Sequence, residues 1–329
     1  MDRKRKVKII GTGAYTPEKV LCNADLEKMV ETSDEWITTR TGIKERRIAS
    51  PEQATSDLGI EAARLALKDA GLTPSDIDLI IVATSTPDTL FPSTACWIQK
   101  GLKADHIPAF DISVGCTGVI YGMVLAESLI LYGTVKKILL IGGELLTKIT
   151  NWKDRNTCVL FGDAAGAFVI AESQDDSGML SHYWKSDGDL TELLFQPGGG
   201  SRIPASEDSV RKDLHFLHMK GNEVFKHAVK RMGEAAVETL KKAGLKKEDV
   251  DYLIPHQANI RIIEATGKRL KLTEDKVFVN IHKTGNVSVA SIPLAVNELK
   301  KQKRLDKGNI VVMVAFGAGF TWGALTYRW

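Results

Sequence analysis

The stretch Glu61–Ile81, EAARLALKDAGLTPSDIDLII, returns 173 residues later as Glu234–Ile254, EAAVETLKKAGLKKEDVDYLI, with 11 of 21 positions identical. Each copy reads as an amphipathic helix closed by a glycine, Gly71 or Gly244, then a short polar link, then an apolar strand. Helix, glycine cap and strand make the return leg of a parallel α/β unit. So dense a match, more than half a chain length apart, points to duplication of one α/β half. One long spacing is not the fixed short period of a solenoid.

The flanking segments repeat the order. In the first half Ile107–Ser113 reads as strand, Cys116–Tyr132 as helix and Lys137–Gly142 as strand; in the second, Val277–Ile281 reads as strand, Val287–Lys300 as helix and Asn309–Phe316 as strand. The fold class is therefore α/β, two similar halves related by a pseudo-twofold axis, divided as residues 1–174 and 175–329. Residues 175–220 break the pattern with Asp175-Asp176-Ser177-Gly178 and Pro197-Gly198-Gly199-Gly200-Ser201. That stretch reads as a linker plus a surface or gating loop.

Composition bounds the function. A chain of 329 residues with 43% hydrophobic and 26% charged residues has the makeup of a globular protein with a sizeable core. A net charge of +3 does not by itself imply nucleic acid, and no nucleic-acid partner is expected. The basic start Met1–Lys6 is followed by Val7-Lys8-Ile9-Ile10, which is no signal-peptide core, and no unbroken apolar run reaches membrane-spanning length. The expectation is a cytoplasmic protein without a membrane partner. Cys22, Cys96, Cys116 and Cys158 form no C-x-x-C pair and no ligand-spaced cluster with histidine, so neither disulfides nor a metal site is expected.

Three reactive groups stand at apparent strand–helix junctions: Cys116 in DISVGCTG (111–118), His256 in PHQAN (255–259) and Asn286 in KTGNVS (283–288). A thiol, an imidazole and a carboxamide are the parts of a covalent acyl-transfer site. The helix after Cys116 would present free N–H groups and a positive dipole end to the sulfur, which favours the nucleophilic thiolate. On spacing alone, a buried small residue fits Cys116 as well, a hydrogen-bonded structural role fits His256, and an N-cap fits Asn286. No local structure spans the 140 residues between Cys116 and His256, so only tertiary folding can unite them.

From end to end the chain resembles the β-ketoacyl-acyl-carrier-protein synthase III family of the thiolase superfamily. The resemblance rests on DEWITTRTGI (34–43), FGDAAGA (161–167), GNEVFK (221–226), IPHQAN (254–259), GNVSVAS (285–291) and FGAGFTWG (316–323), in that order and spacing. It implies a thiolase-like fold, a five-layer αβαβα arrangement of the duplicated halves. It implies a catalytic triad of Cys116, His256 and Asn286, with backbone N–H groups of Cys116 and Ala318 as an oxyanion site. The implied reaction is a decarboxylating Claisen condensation of a short acyl-CoA, acetyl-CoA foremost, with malonyl-acyl carrier protein, through an acyl-cysteine and without a cofactor.

By the same resemblance Trp36 and Arg155 sandwich the CoA adenine, Thr32 hydrogen-bonds it, Arg40 joins this group, and Asn259 lines the pantetheine approach. Phe91, Leu146, Phe161 and Met219 wall the acyl pocket, with Phe91 crossing a homodimer interface; its bulk argues for a short primer. Lys226, Arg261, Lys268 and Arg269 form a basic patch for the acidic carrier protein. If 259–270 is helical, Arg261 and Lys268 share a face, which supports the patch independently.

Rivals lack parts. Thiolases need a second cysteine near the C-terminal loop, where this chain has Ala315-Phe316-Gly317-Ala318-Gly319; chain-elongating enzymes have a second histidine where Asn286 stands. Type III polyketide and alkylquinolone synthases share Cys-His-Asn and are the serious alternative, but the signatures around Trp36 and Arg261 are not expected in them. A dinucleotide fold fails because Gly11-Thr12-Gly13 is followed by threonine at position 16. No P-loop or H-E-x-x-H is present, and a non-catalytic carrier-binding protein has no reason to keep all three reactive groups.

Overall fold

A computed structural model describes residues 5–329; the start Met1–Lys4 of the basic segment lies outside the described residues. The two copies of the repeat fold alike. Helix Thr55–Ala70 ends at Gly71 with φ of 67°, and helix Gly221–Ala243 ends at Gly244 with φ of 71°. Both glycines take the left-handed conformation that lets an amide turn back onto the last carbonyls. A one-turn 3-10 segment follows each, and then the strands Leu79–Ala83 and Tyr252–Pro255, deeply buried.

These strands seed two sheets of matching topology. The first runs Val7–Tyr15, Asp163–Glu172, Lys137–Leu145, Leu79–Ala83, Ala109–Ile112. The second runs Gly178–Ser186, Thr321–Arg328, Ile310–Gly317, Tyr252–Pro255. In each, the repeat strand pairs parallel with its neighbour (Leu79↔Ile138, Tyr252↔Val311), and the two strands at the far edge pair antiparallel. The order is the same strand for strand until the fifth place.

There the second half departs from the sequence reading. Val277–Ile281 is not a strand: Val277 makes one isolated bridge to Leu253, and Ile281 opens a short helix, Ile281–Thr284. The buried Gln257 side chain replaces the missing ladder. Its Nε2 donates to the carbonyl of Phe278 at 3.1 Å, and its Oε1 accepts from the amides of Asn280 (2.9 Å) and Ile281 (3.2 Å). Backbone groups buried there find partners without sheet pairing.

The stretch 175–220 is also more structured than a linker and loop. Gly178–Ser186 is an edge strand of the second sheet, in register with Thr321–Arg328. Leu194–Phe195 pairs with His218–Met219, and Glu207–Arg211 forms a short helix.

Helices Thr55–Ala70 and Thr94–Leu102 cover the outer face of the first sheet, and Gly221–Ala243 and Ile260–Leu270 the outer face of the second. Between the sheets lie Gly118–Tyr132 and Ser291–Lys301, sharing one core with Ile81, Leu140 and Phe168 from one sheet and Ile254, Met313 and Leu325 from the other. This is a five-layer αβαβα arrangement of the thiolase kind. The stretch Gly115–Tyr132 is long and apolar enough to cross a membrane by composition, yet its place between two sheets explains an apolar surface all round. Its Ile120, fully buried, contributes about 2 kcal/mol by its burial.

Candidate active site

Cys116 lies on a 3-10 turn, Gly115–Thr117, between strand Ala109–Ile112 and the central helix Gly118–Tyr132. The closing loop presses on this turn. Gly115 has φ of +56°, and a Cβ there would stand 2.8 Å from the Ala318 nitrogen; a Cβ at Gly317 would stand 2.5 Å from the Cys116 nitrogen. Only glycine lets the two backbones approach so closely. The Thr117 and Thr321 hydroxyls, 2.8 Å apart, both reach the Val114 carbonyl, at 2.7 and 2.9 Å, and tie turn to loop. Ala318 is outside the left-handed region, so alanine is unstrained there.

His256 follows strand Tyr252–Pro255, its amide donating to the Val314 carbonyl at 2.7 Å. Its Nδ1 lies 2.8 Å from Ser291 Oγ at the start of helix Ser291–Lys301. Ser291 is buried and has no other acceptor among the described residues, so its hydroxyl proton goes to Nδ1. The ring proton then sits on Nε2. Burial pulls the imidazole pKa down to about 3, so His256 is neutral at physiological pH.

Asn286 is held by its backbone: its amide donates to the Leu160 carbonyl (2.8 Å) and its carbonyl accepts from the Gly162 amide (3.1 Å). Its Oδ1 accepts from the Ser288 amide at 2.9 Å. That bond fixes the carboxamide orientation, because only the oxygen can accept from N–H. Among the described residues neither Asn286 Nδ2 nor His256 Nε2 has a protein partner.

One cavity of about 440 Å³ is lined by Cys116, His256, Asn286, Ser288 and Ala318. Leu146, Phe161 and Met219 line it too, as does Asn259. Asn259 also caps helix Ile260–Leu270, accepting from the Arg261 amide at 2.9 Å and donating to the Arg40 carbonyl at 3.0 Å. Phe91 is outside the cavity of its own chain, 86% exposed on a loop beside exposed Leu90.

Burial opposes the pull of the helix N-terminus toward thiolate. Burial pushes the Cys116 thiol up to about 12; the Ser288 hydroxyl, 3.2 Å from the sulfur, pulls the other way, and the nearby Glu144 carboxylate adds to the rise. A helix end favours an anion by roughly one pKa unit, too little to offset this. On this balance burial favours the protonated sulfur at neutral pH.

At the outer end, the Arg155 guanidinium carbon lies 4.8 Å from the Trp36 ring centroid and that of Arg40 lies 6.0 Å away. A planar base between Trp36 and Arg155 needs about 7 Å, one van der Waals spacing on each side, so the slot is closed rather than preformed. Thr32 Oγ1 is buried without a hydrogen-bond partner among the described residues. Lys226, Arg261, Lys268 and Arg269 are all exposed. Arg261 stacks on Phe225 at 5.1 Å, and Lys226 pairs with Glu223 at 2.8 Å. Lys268 is two helical turns further on, about 10 Å from Arg261 along the helix axis.

Sequence reading missed Ser288, Ser291, Gln257 and Glu144. The serines and Gln257 fall inside motifs already singled out; Glu144, in the strand Lys137–Leu145, carries no local signal beyond being a carboxylate in an apolar run.

Comparison with known proteins shows the family. A family model described as 3-oxoacyl-[acyl-carrier-protein (ACP)] synthase III matches residues 110–188, and one for the C-terminal part of the same family matches 240–329. The chain is 56% identical over 329 residues to the beta-ketoacyl-[acyl-carrier-protein] synthase III of Caldanaerobacter subterraneus subsp. tengcongensis, covering 100% of this chain and 99% of that one. It is 49% identical to the enzyme of the same name from Clostridioides difficile, covering 98% of each. The crystal structure of 3-oxoacyl-[acyl-carrier-protein] synthase III from Aquifex aeolicus matches at 49% identity and a TM-score of 0.91, over 98% of this chain and 100% of that one. The chain belongs to the beta-ketoacyl-[acyl-carrier-protein] synthase III family.

Proposed function

We propose that Cys116 carries the acyl group, and His256 and Asn286 stabilise the enolate, in a chain that by its family is an initiating condensing enzyme of fatty acid synthesis. The observation that carries this reading is that two unpartnered donors, His256 Nε2–H and Asn286 Nδ2, share a cavity with the Cys116 sulfur.

In the first half-reaction Cys116 sulfur attacks the thioester of a short acyl-CoA, CoA leaves, and an acyl-cysteine remains. The backbone N–H groups of Cys116 and Ala318, on the two segments pressed together at Gly115 and Gly317, receive the oxyanion. In the second, malonyl-acyl carrier protein enters and loses CO2. Negative charge grows on its thioester oxygen, and two neutral donors in a largely apolar cavity stabilise that charge without repelling the incoming malonate. The carbanion then attacks the acyl-cysteine carbonyl and expels the sulfur, giving 3-ketoacyl-acyl carrier protein.

Acetyl-CoA is the primer of choice in this reading, and no cofactor is required. Trp36, Arg155, Arg40 and Thr32 hold the nucleotide end of CoA, and Lys226, Arg261, Lys268 and Arg269 the carrier protein. Exposed Leu90 and Phe91 support a homodimer in which Phe91 walls the partner's acyl pocket. The cytoplasm, where CoA thioesters and carrier protein meet, is the proposed location.

The test separates the two half-reactions. His256→Ala and Asn286→Ala are expected to form acyl-enzyme from acetyl-CoA while releasing CO2 from malonyl-acyl carrier protein at least 100-fold more slowly than the unaltered chain. Normal CO2 release by both variants would refute the assigned roles.

A further inference from the structure

The resting thiol needs a proton acceptor, and the structure narrows the choice. His256 is poorly suited: its Nδ1 lone pair is taken by Ser291, and its Nε2 carries the proton that faces the cavity. The side chain in contact with the sulfur is Ser288, whose Oγ lies 3.2 Å from Cys116 Sγ and 3.2 Å from Glu144 Oε1. Ser288 is held for this position. It is buried, and its φ of +45° is one that non-glycine residues adopt only at a cost. Its amide meanwhile holds Asn286 Oδ1.

Glu144 is fully buried at the end of strand Lys137–Leu145. Its carboxylate accepts from the Ser85 amide at 3.1 and 3.2 Å, from the Thr86 hydroxyl at 2.8 Å and from Ser288. The groups that face it from the loop after strand Leu79–Ala83 and from the Asn286 segment are thus neutral donors. Cys116, on the turn before the central helix, is its titratable neighbour. A lone hydroxyl between a thiol and a carboxylate has one proton to give. With Glu144 ionised that proton points to Oε1, and the thiol donates to Oγ.

We propose that Glu144 receives the Cys116 thiol proton through the Ser288 hydroxyl as the acyl group is loaded. This rests on the reading that Cys116 is acylated. As the Sγ–carbonyl carbon bond forms, the thiol proton passes to Ser288 Oγ and the Ser288 proton to Glu144 Oε1. The carbon–sulfur bond to CoA breaks, and the CoA thiolate takes a proton from solvent. When condensation later expels Cys116 as thiolate, Glu144 returns its proton along the same path. One solvent proton is consumed per turnover, matching the carboxylate lost as CO2. Burial raises the Glu144 carboxyl to about 7 against the donors that lower it, so it can accept and release a proton near neutrality. Glu144 acts through Ser288 and touches no substrate, which makes it a positioning and proton-holding residue.

The experiment is rapid-quench acylation of Cys116 by acetyl-CoA between pH 5.5 and 9, read by intact mass. The unaltered chain is expected to show an acidic limb near pH 7. Glu144→Gln is expected to acylate about 100-fold more slowly at pH 8 and to lose that limb. Ser288→Ala is expected to do the same, and the double variant to be no slower than the worse single one. If Glu144→Gln does not fold, Glu144→Asp serves: slower acylation with the limb retained supports the relay. A flat profile in the unaltered chain, a limb kept in Glu144→Gln, or additive losses in the double variant would overturn it. Acylation that proceeds without the limb refutes the relay alone, whereas no acylation of Cys116 at any pH refutes the reading beneath it as well.

Discussion

Ser291 Oγ stands 2.8 Å from His256 Nδ1 and thereby decides which edge of the ring carries the proton. The cavity-facing edge of His256 is a donor because a residue 35 positions away supplies a hydroxyl to the opposite edge.

Ser291→Ala removes that control. The imidazole can then place its proton on Nδ1, and Nε2 becomes an acceptor facing the enolate. CO2 release from malonyl-acyl carrier protein is expected to fall about tenfold, with acyl-enzyme formation unchanged, as single-turnover measurements of each half-reaction would show. An equal loss in both halves would point to a general packing defect instead.

The neutral state of His256 has a stability signature. Its folded pKa lies below the ordinary 6.5, near 3, so the unfolded chain binds the proton first on acidification. Its contribution to stability is present above about pH 6.5 and is lost as pH falls toward 3, by up to about 1.4 kcal/mol per pH unit. Glu144 acts in the opposite sense: its folded pKa is raised from 4.5 to about 7, so stability is lost as pH rises through that window. Urea unfolding of His256→Gln is expected to show a shallower loss between pH 6 and 4 than the unaltered chain, and Glu144→Gln a shallower loss between pH 5 and 7. Unchanged slopes would show that neither group is held away from its usual ionisation.

How much of this was legible in the sequence differs by level. The repeat at Glu61–Ile81 and Glu234–Ile254 was visible because helix periodicity and glycine caps are local signals. The strand Gly178–Ser186 was not, because its residues pair with Thr321–Arg328, some 140 positions away, and only that pairing distinguishes strand from loop. Val277–Ile281 looked like a strand because it opens on the apolar run Val277-Phe278-Val279, but a side chain, Gln257, takes over the bonds a neighbouring strand would make. The three reactive residues could be named from motifs, while the thiol's protonation could not. It depends first on burial of the sulfur, and then on Ser288 and Glu144, brought to it by folding from 172 and 28 residues away.

Trp36 and Arg155 touch each other, so the proposed nucleotide binding between them requires that they part. Trp36→Ala is expected to raise KM for acetyl-CoA about tenfold with little change in kcat. The same substitution should leave KM unchanged for an acetyl thioester of N-acetylcysteamine, which has no adenine. A matching rise with the truncated substrate would place Trp36 elsewhere in the mechanism.

Arg261 and Lys268 present charge along one exposed helix face. Reversing both, Arg261→Glu with Lys268→Glu, is expected to raise KM for malonyl-acyl carrier protein tenfold or more at low salt and to flatten its salt dependence. Acylation by acetyl-CoA should be unaffected. Carrier-protein kinetics that do not change would exclude this face as the docking site.

The most direct test of the chemistry is the intact mass of the protein after incubation with a mixture of acyl-CoAs, followed by peptide mapping. A single added acyl group on Cys116, absent in Cys116→Ser, is expected, with acetyl dominating the mixture. No stable adduct, or an adduct on any other residue, would contradict the central claim that this sulfur carries the acyl group.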